Sequence, residues 1–82
     1  MTIIIGWYIG RDIAVRQINK RGGAIAFGLH RPDDRNGIID EFPDLAFANN
    51  VAFYIDSHGG SYGSEERKAA KEYAKGMEDG KN

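Results

Sequence analysis

The residues best suited to chemistry stand together in His58-Gly59-Gly60-Ser61-Tyr62-Gly63-Ser64. A glycine-rich turn leaves backbone N–H groups free to surround a phosphate, and a helix beginning at Ser64 would add its positive end. The pattern predicts a strand before this loop and a helix after it, the order that such a cradle needs. His58, Gly59, Gly60, Ser61, Gly63 and Ser64 are therefore candidates for binding a nucleotide or another small anion. Two features oppose that use. The loop has neither the lysine nor the glycine spacing of a Walker loop or a dinucleotide turn. Glu65 and Glu66 also bring negative charge to the place an anion would occupy.

Over this one loop the chain resembles the His-Gly-Gly-Gly oxyanion loop of esterases in the α/β-hydrolase fold. The resemblance implies a backbone that stabilises a tetrahedral oxyanion. Ser61 stands where the third glycine would be, and no nucleophile elbow is expected to accompany the loop. Next to it, Asp56-Ser57-His58 contains the residue types of a hydrolytic triad. Neighbours along an extended chain point to opposite sides, so these three are not expected to form a relay.

Two histidines, His30 and His58, stand with Asp33, Asp34 and Asp56 at spacings that ask for no metal. No metal or other cofactor is expected. Carboxylates pair at Asp33-Asp34 and Asp40-Glu41. General acid–base work needs two carboxyls in unlike surroundings, whereas a loop exposes both alike. Together with Asp44 these acids read better as a recognition surface for another protein.

Charge is unevenly spread. Residues 1–32 carry Arg11, Arg16, Lys20, Arg21 and Arg31 against Asp12 alone, and residues 33–56 carry six acids against Arg35. The basic group lies among Trp7, Tyr8 and Phe27, a mixture that single-stranded nucleic acid can exploit. An isoelectric point near 6.1 argues against that use, because nucleic-acid binders carry a broad positive footprint. A nucleic-acid-binding domain is thus a second alternative, behind the anion binder.

The sequence holds no cysteine, which removes disulfides, thiolate metal sites and cysteine nucleophiles, and favours a reducing compartment such as the cytoplasm. The apolar opening, interrupted by Gly10, Arg11 and Asp12, is short of the roughly 20 residues a membrane helix needs. No membrane role is expected.

The elements that must position these groups follow from periodicity. Residues 2–9 are rich in isoleucine and aromatics and predict a central strand. Residues 12–21 fit a helix capped by Asp12 and closed by Gly22, with a strand starting after a Gly10-Arg11 turn as the weaker fit. Residues 24–30 alternate large and small side chains, as a strand does when something approaches its small face closely. Residues 31–37 form a turn. In 38–49 either a hairpin at Asn49-Asn50 or a short helix from Pro43 is possible, and 51–55 read as a buried strand. The spacing predicts a last helix from Glu65 to Gly76 or Met77, capped by Ser64, with residues 78–82 fraying.

These elements give one α+β domain over residues 1–82, in the order β-α-β-β-α. A single sheet of three or four strands would carry the C-terminal helix on one face. The expected core is Ile3, Ile5, Trp7, Ile18, Ile25, Phe27, Leu29, Val51, Phe53, Ile55, Tyr73 and Met77. Among functions, a small non-enzymatic protein-interaction module fits best. Its expected contact residues are Asp33, Asp34, Asp40, Glu41 and Asp44. The open edge of so small a sheet also invites homodimerisation. Phage- or plasmid-encoded accessory factors that bind and inhibit a host protein are of this size and kind.

Overall fold

Isoleucine and valine at 13, 15 and 18 are stiff at the first side-chain torsion and suit a pleated surface. In the computed structural model, which describes residues 6–79, they lie in or beside strand β1, Ala14–Asn19. Strand β2, Ile25–His30, pairs antiparallel with β1, with Val15 opposite Leu29 and Ile18 opposite Ala26. The short strand β3, Asp40–Phe42, adds to the other edge of β2 and places Phe42 opposite Phe27. The result is an antiparallel three-stranded sheet of order β1-β2-β3. Two helices follow, α1 at Leu45–Ser57 and α2 at Ser64–Asp79. The fold is the small α+β arrangement with one sheet and a C-terminal helix that the sequence predicts.

Two elements change type. The helix expected over 12–21 is strand β1. A helix would have gathered Ile13, Ala14, Gln17 and Ile18 on one face and buried the glutamine amide. The strand sends Ile13 and Val15 to one face of the sheet. Ile18 goes to the other face, beside Gly28 and Ile38. A methyl group at Gly28 would lie 2.6 Å from Ile18 Cδ1 and 3.1 Å from Ile38 Cγ2, so glycine makes room for that packing. The small face of β2 is thus approached by the 37–39 segment, not by a helix. Gly22 does not end a helix; it and Gly23 both take positive φ, 81° and 86°, in the loop joining β1 to β2.

The second change concerns 51–55, expected as a strand. Asp44 accepts a hydrogen bond from Phe47 N at 2.9 Å, which caps a helix, and the chain stays helical through Asn49-Asn50 to Ser57. Ala48, Val51, Ala52 and Ile55 are all fully buried, at the i, i+3, i+4, i+7 spacing of one helix face.

The core lies between the helices and one face of the sheet. Ile13, Val15, Leu29 and Phe42 meet Ala48, Val51, Ala52 and Ile55 of α1 and Ala70 and Ala74 of α2. Alanines on both helices let the backbones approach closely. Of the expected core, Leu29, Val51 and Ile55 are fully buried, while Phe27 packs partly buried against them. Trp7, Ile25, Phe53 and Met77 are instead exposed, Trp7 by 45%. Tyr73 is half-buried and meets Phe53 and Tyr54 of α1. The strand expected at 2–9 falls partly outside the described residues, as do Ile3 and Ile5. Its described part is irregular and touches the sheet through a bridge between Ile9 and Ala14.

Candidate functional site

The polar residues that converge do so at the C-terminal end of α1, around Asp56. Its two carboxylate oxygens accept from Tyr8 Oη at 2.7 Å and from the Asp12 backbone N–H at 2.8 Å. Gly10 passes so close to Asp56 and Tyr8 that a methyl group there would overlap both. Two turns earlier, the Asn49 side chain accepts from Tyr8 N at 3.0 Å and donates to Gly6 O at 2.9 Å. Arg31 completes the arrangement by donating to the carbonyls of Asp12 (3.0 Å) and Gly60 (2.7 Å). These bonds fasten the irregular segment 6–12 to α1. Asn49 therefore serves as a two-way clamp inside a helix, not as a turn residue, and periodicity gives no sign of that role.

Tyrosine, aspartate and arginine so arranged might suggest proton transfer, but the electrostatics point the other way. Burial, followed by the hydrogen bond to Asp56, raises the Tyr8 pKa from 10.0 to about 12. The bonds from Tyr8 and from the Asp12 N–H lower that of Asp56. A phenol and a carboxylate pushed apart in this way keep a neutral donor and a charged acceptor at every physiological pH. That describes a fixed strut, since an acid–base catalyst needs a pKa near its working pH.

The strut should be visible in alkaline unfolding. Tyr62 behaves like Tyr8: burial, then its 2.8 Å bond to Asp40, raises its pKa. A group whose folded pKa lies above its unfolded value contributes stability that is fully present below the unfolded value and is lost as pH rises through the folded one. For Tyr8 the loss should therefore run from pH 10 to about 12. The double variant Tyr8→Phe/Tyr62→Phe should be less stable at pH 7, by about 1 kcal/mol for each lost bond. Across the alkaline window its urea midpoint should fall less steeply than that of the parent chain. Equal slopes would dismiss both struts. For Asp56 the sign reverses: its contribution is present above the ordinary carboxylate value of 3.8 and is lost on acidification below it.

The loop singled out by sequence has a different setting from the one expected. It follows α1, not a strand. Gly59 and Gly60 both have positive φ, 87° and 77°, and Gly60 N donates to Ile55 O at 2.8 Å. This is a glycine-terminated helix end, where carbonyl groups present the negative pole. An anion is repelled there, and one of the N–H groups that a cradle would use is already bonded. Ser64 is the first residue of α2.

His58 lies outside any reactive group. Its ring stacks on Tyr54 at 4.0 Å between centroids, and its Nδ1 lies 2.8 Å from Tyr54 O. Ser57 Oγ donates to Phe53 O. Asp56, Ser57 and His58 thus each engage a different partner. Gly59-Gly60-Ser61-Tyr62-Gly63 does spell Gly-x-Ser-x-Gly, a letter match that the expectation of no elbow passes over. A nucleophile elbow, however, joins a strand to a helix and presents its serine to a base. This stretch joins two helices, and the exposed Ser61 side chain has no hydrogen-bond partner among the described residues. Nor do three histidine or acidic side chains gather in a metal-sized group among those residues.

The acidic residues divide into two sets. Asp40 accepts from Tyr62 Oη and lies 3.4 Å from Lys71 Nζ and 3.9 Å from Arg67 Nε, which joins β3 to α2. Glu41 pairs with Lys20 at 2.7 Å, and Asp44 caps α1. Asp33 and Asp34 are exposed, and neither carboxylate has an ion pair or a hydrogen bond among the described residues.

On the opposite side of the 31–37 turn, the helix-free face of the sheet bears an apolar recess of about 250 Å³. Trp7, Ile9, Ala14 and Pro32 form its walls, with Arg16, Arg35 and His30 at its margin. Sequence periodicity hid this site by drawing Trp7 into the core.

Fold and site together define a small α+β domain in which α1 packs across one face of a three-stranded antiparallel sheet, the C-terminal helix α2 packs on α1 and not across the sheet as expected, and the other face bears an open recess. No family model matches the chain, and no curated protein or solved structure is significantly similar to it.

Proposed function

We propose that this chain is a non-enzymatic protein-interaction module whose contact surface centres on the 31–37 turn. The observation that carries this reading is the division of the acidic residues. Asp40, Glu41 and Asp44 are used within the fold, whereas Asp33 and Asp34 are exposed with no ion pair among the described residues, in a turn whose Pro32 and Arg35 line the recess of exposed Trp7 and Ile9. Charge beside exposed apolar groups is the usual make-up of a recognition surface, in which apolar contacts give affinity and charges give selectivity and encounter rate. Beyond Val15 no described strand pairs with the outer edge of β1, so a partner or a second copy could extend the sheet there. A binder that blocks another protein, of the kind phage and plasmid accessory factors supply, fits this description. The reducing cytoplasm suits its lack of cysteine.

The test is affinity capture from cell lysate with the parent chain and with Asp33→Lys/Asp34→Lys. Both positions are exposed, so the thermal midpoint should stay within the scatter of ordinary surface changes, about 0.5 kcal/mol. The specific partner should be depleted at least about tenfold, the effect of a lost charge pair worth about 1.4 kcal/mol. Retention of every captured protein by the charge-reversed chain would remove this surface from consideration.

A further inference from the structure

The recess beside the 31–37 turn sits on the face of the sheet that carries no described helix. Ala14 and Ala26 are nearly fully buried on that face, and His30 is 5% exposed. At the recess the cover gives out. Ile9 is 76% exposed and Trp7 45%, an unusual cost for a chain that buries few large side chains elsewhere.

The two arginines at the margin, Arg16 and Arg35, share one sign. Arg16, a lining residue of the recess, donates through Nε to Arg35 O at 3.0 Å and through Nη1 to Gln17 O at 3.4 Å. Neither Arg16 nor Arg35 is in a salt bridge among the described residues, although three other pairs occur there. His30 Nδ1 lies 2.7 Å from Arg31 O and donates to it, since a carbonyl oxygen only accepts. Among the described residues, no side-chain nitrogen or oxygen fully sealed from solvent lacks a partner. His30 therefore keeps its second nitrogen accessible, and His30 is a lining residue of this recess.

Size decides what such a site can take. Pockets for whole small molecules run from about 300 to 1,000 Å³. At about 250 Å³ this one suits a single large side chain. Two guanidiniums without an ion-pair partner among the described residues call for carboxylates on either side of that anchor.

We propose that the recess lined by Trp7, Ile9, Ala14 and Pro32 receives one aromatic or large aliphatic side chain from an acidic peptide segment of the partner, with the flanking carboxylates held by Arg16 and Arg35. The proposal rests on the protein-interaction reading and names its partner's chemistry. Arg35 presents a fork that grips a carboxylate through two parallel bonds, and the apolar walls supply the burial energy. Asp33 and Asp34, on the far side of the turn, select a basic group elsewhere on the same partner and repel a wrongly placed acidic one.

The chain supplies its own reporter, because Trp7 is the only tryptophan. A random dodecapeptide library without tryptophan is selected against the whole chain, and the enriched peptides are titrated while Trp7 emission is followed. Enriched sequences should share one Phe, Leu or Ile flanked by Asp or Glu. They should shift the emission to shorter wavelength in a saturable way. Replacing the anchor by alanine in the peptide, or Ile9→Asp in the domain, should weaken binding at least about tenfold. Arg35→Glu should do the same and should reduce the salt dependence. Both domain positions are exposed, and unchanged thermal midpoints will exclude unfolding. Enrichment of basic peptides, binding that leaves Trp7 emission unmoved, or no enrichment at all would overturn the proposal. If those results come with a lysate partner still captured through Asp33 and Asp34, the recess proposal falls and the interaction module stands. If capture fails as well, both fall.

Discussion

Replacing Gly60 by alanine should destabilise the domain by about 3 kcal/mol, and the same change at Gly59 by about 1 kcal/mol. Both residues have positive φ, so both alanines meet the left-handed penalty. Their surroundings differ. A methyl group at Gly59 meets nothing within 4 Å, whereas at Gly60 it would lie 2.5 Å from Asp12 Cβ and 2.9 Å from Asp12 Cγ. Asp12 has little room to yield. Its N–H donates to Asp56, and its carbonyl accepts from Arg31, which also holds the Gly60 carbonyl. Alanine at 60 therefore opens the joint between the end of α1 and the segment leading into β1. In urea the two variants should separate in midpoint but share a slope, since neither changes the area exposed on unfolding. Equal costs would show that the Asp12–Arg31–Gly60 joint contributes nothing, and that glycine is needed at 60 for backbone conformation alone.

That glycine pair also shows why chemistry was harder to read in the sequence than architecture. Gly59-Gly60 after His58 fits an oxyanion cradle and a helix terminator equally well, and only the element before the loop distinguishes them. That element was misread. Val51-Ala52-Phe53-Tyr54-Ile55 is composed as a strand, because β-branched and aromatic residues dominate it. Extending the window back to Leu45 exposes a different order: Ala48, Val51, Ala52 and Ile55 form one stripe, with a capping Asp44 placed ahead of it. The alanines of that stripe are small and let α1 pack closely. A strand reading of 51–55 puts a strand before the loop and so gives it a false phosphate-binding setting.

The sheet was more legible. The alternation of Ile25, Phe27 and Leu29 with Ala24, Ala26 and Gly28 does form β2, and its small face is closely approached, by Ile38. β1 was ambiguous because Ile18 has the wrong parity for a strand with one buried face. Its home on the second face depends on a glycine ten residues away and a loop residue twenty away, which local periodicity cannot register. The acidic segment was visible in composition. Which of its members are free was not, since Tyr62, Lys20 and the Phe47 N–H that occupy Asp40, Glu41 and Asp44 come from three separate elements.

Ile55 is where the stripe on α1 matters most, and its replacement by alanine should give one of the largest effects available in this chain, about 3–4 kcal/mol. Its side chain is fully buried, and around it Ile13, Val15, Leu29 and Val51 close a core in which alanines fill many of the remaining places. A core built on small side chains has few flexible groups able to move into a new hole, so the cavity should persist with little relaxation. The loss should also reach beyond packing. Ile55 O accepts from Gly60 N at 2.8 Å and from His58 N at 3.2 Å, so disturbance there loosens the helix end that supports Asp56 and the 6–12 segment. A chain of this length has a total stability of about 4–12 kcal/mol. Ile55→Ala should therefore lower the thermal midpoint by about 15–25 °C or more and leave part of the population unfolded at 37 °C. Phe53→Ala, two residues earlier on the exposed side of the same helix, should cost about 1 kcal/mol or less. Were 51–55 a strand, Phe53 and Ile55 would share a face and their costs would be alike. A large and a small effect at these two positions is the signature of the helix, and comparable effects would refute it.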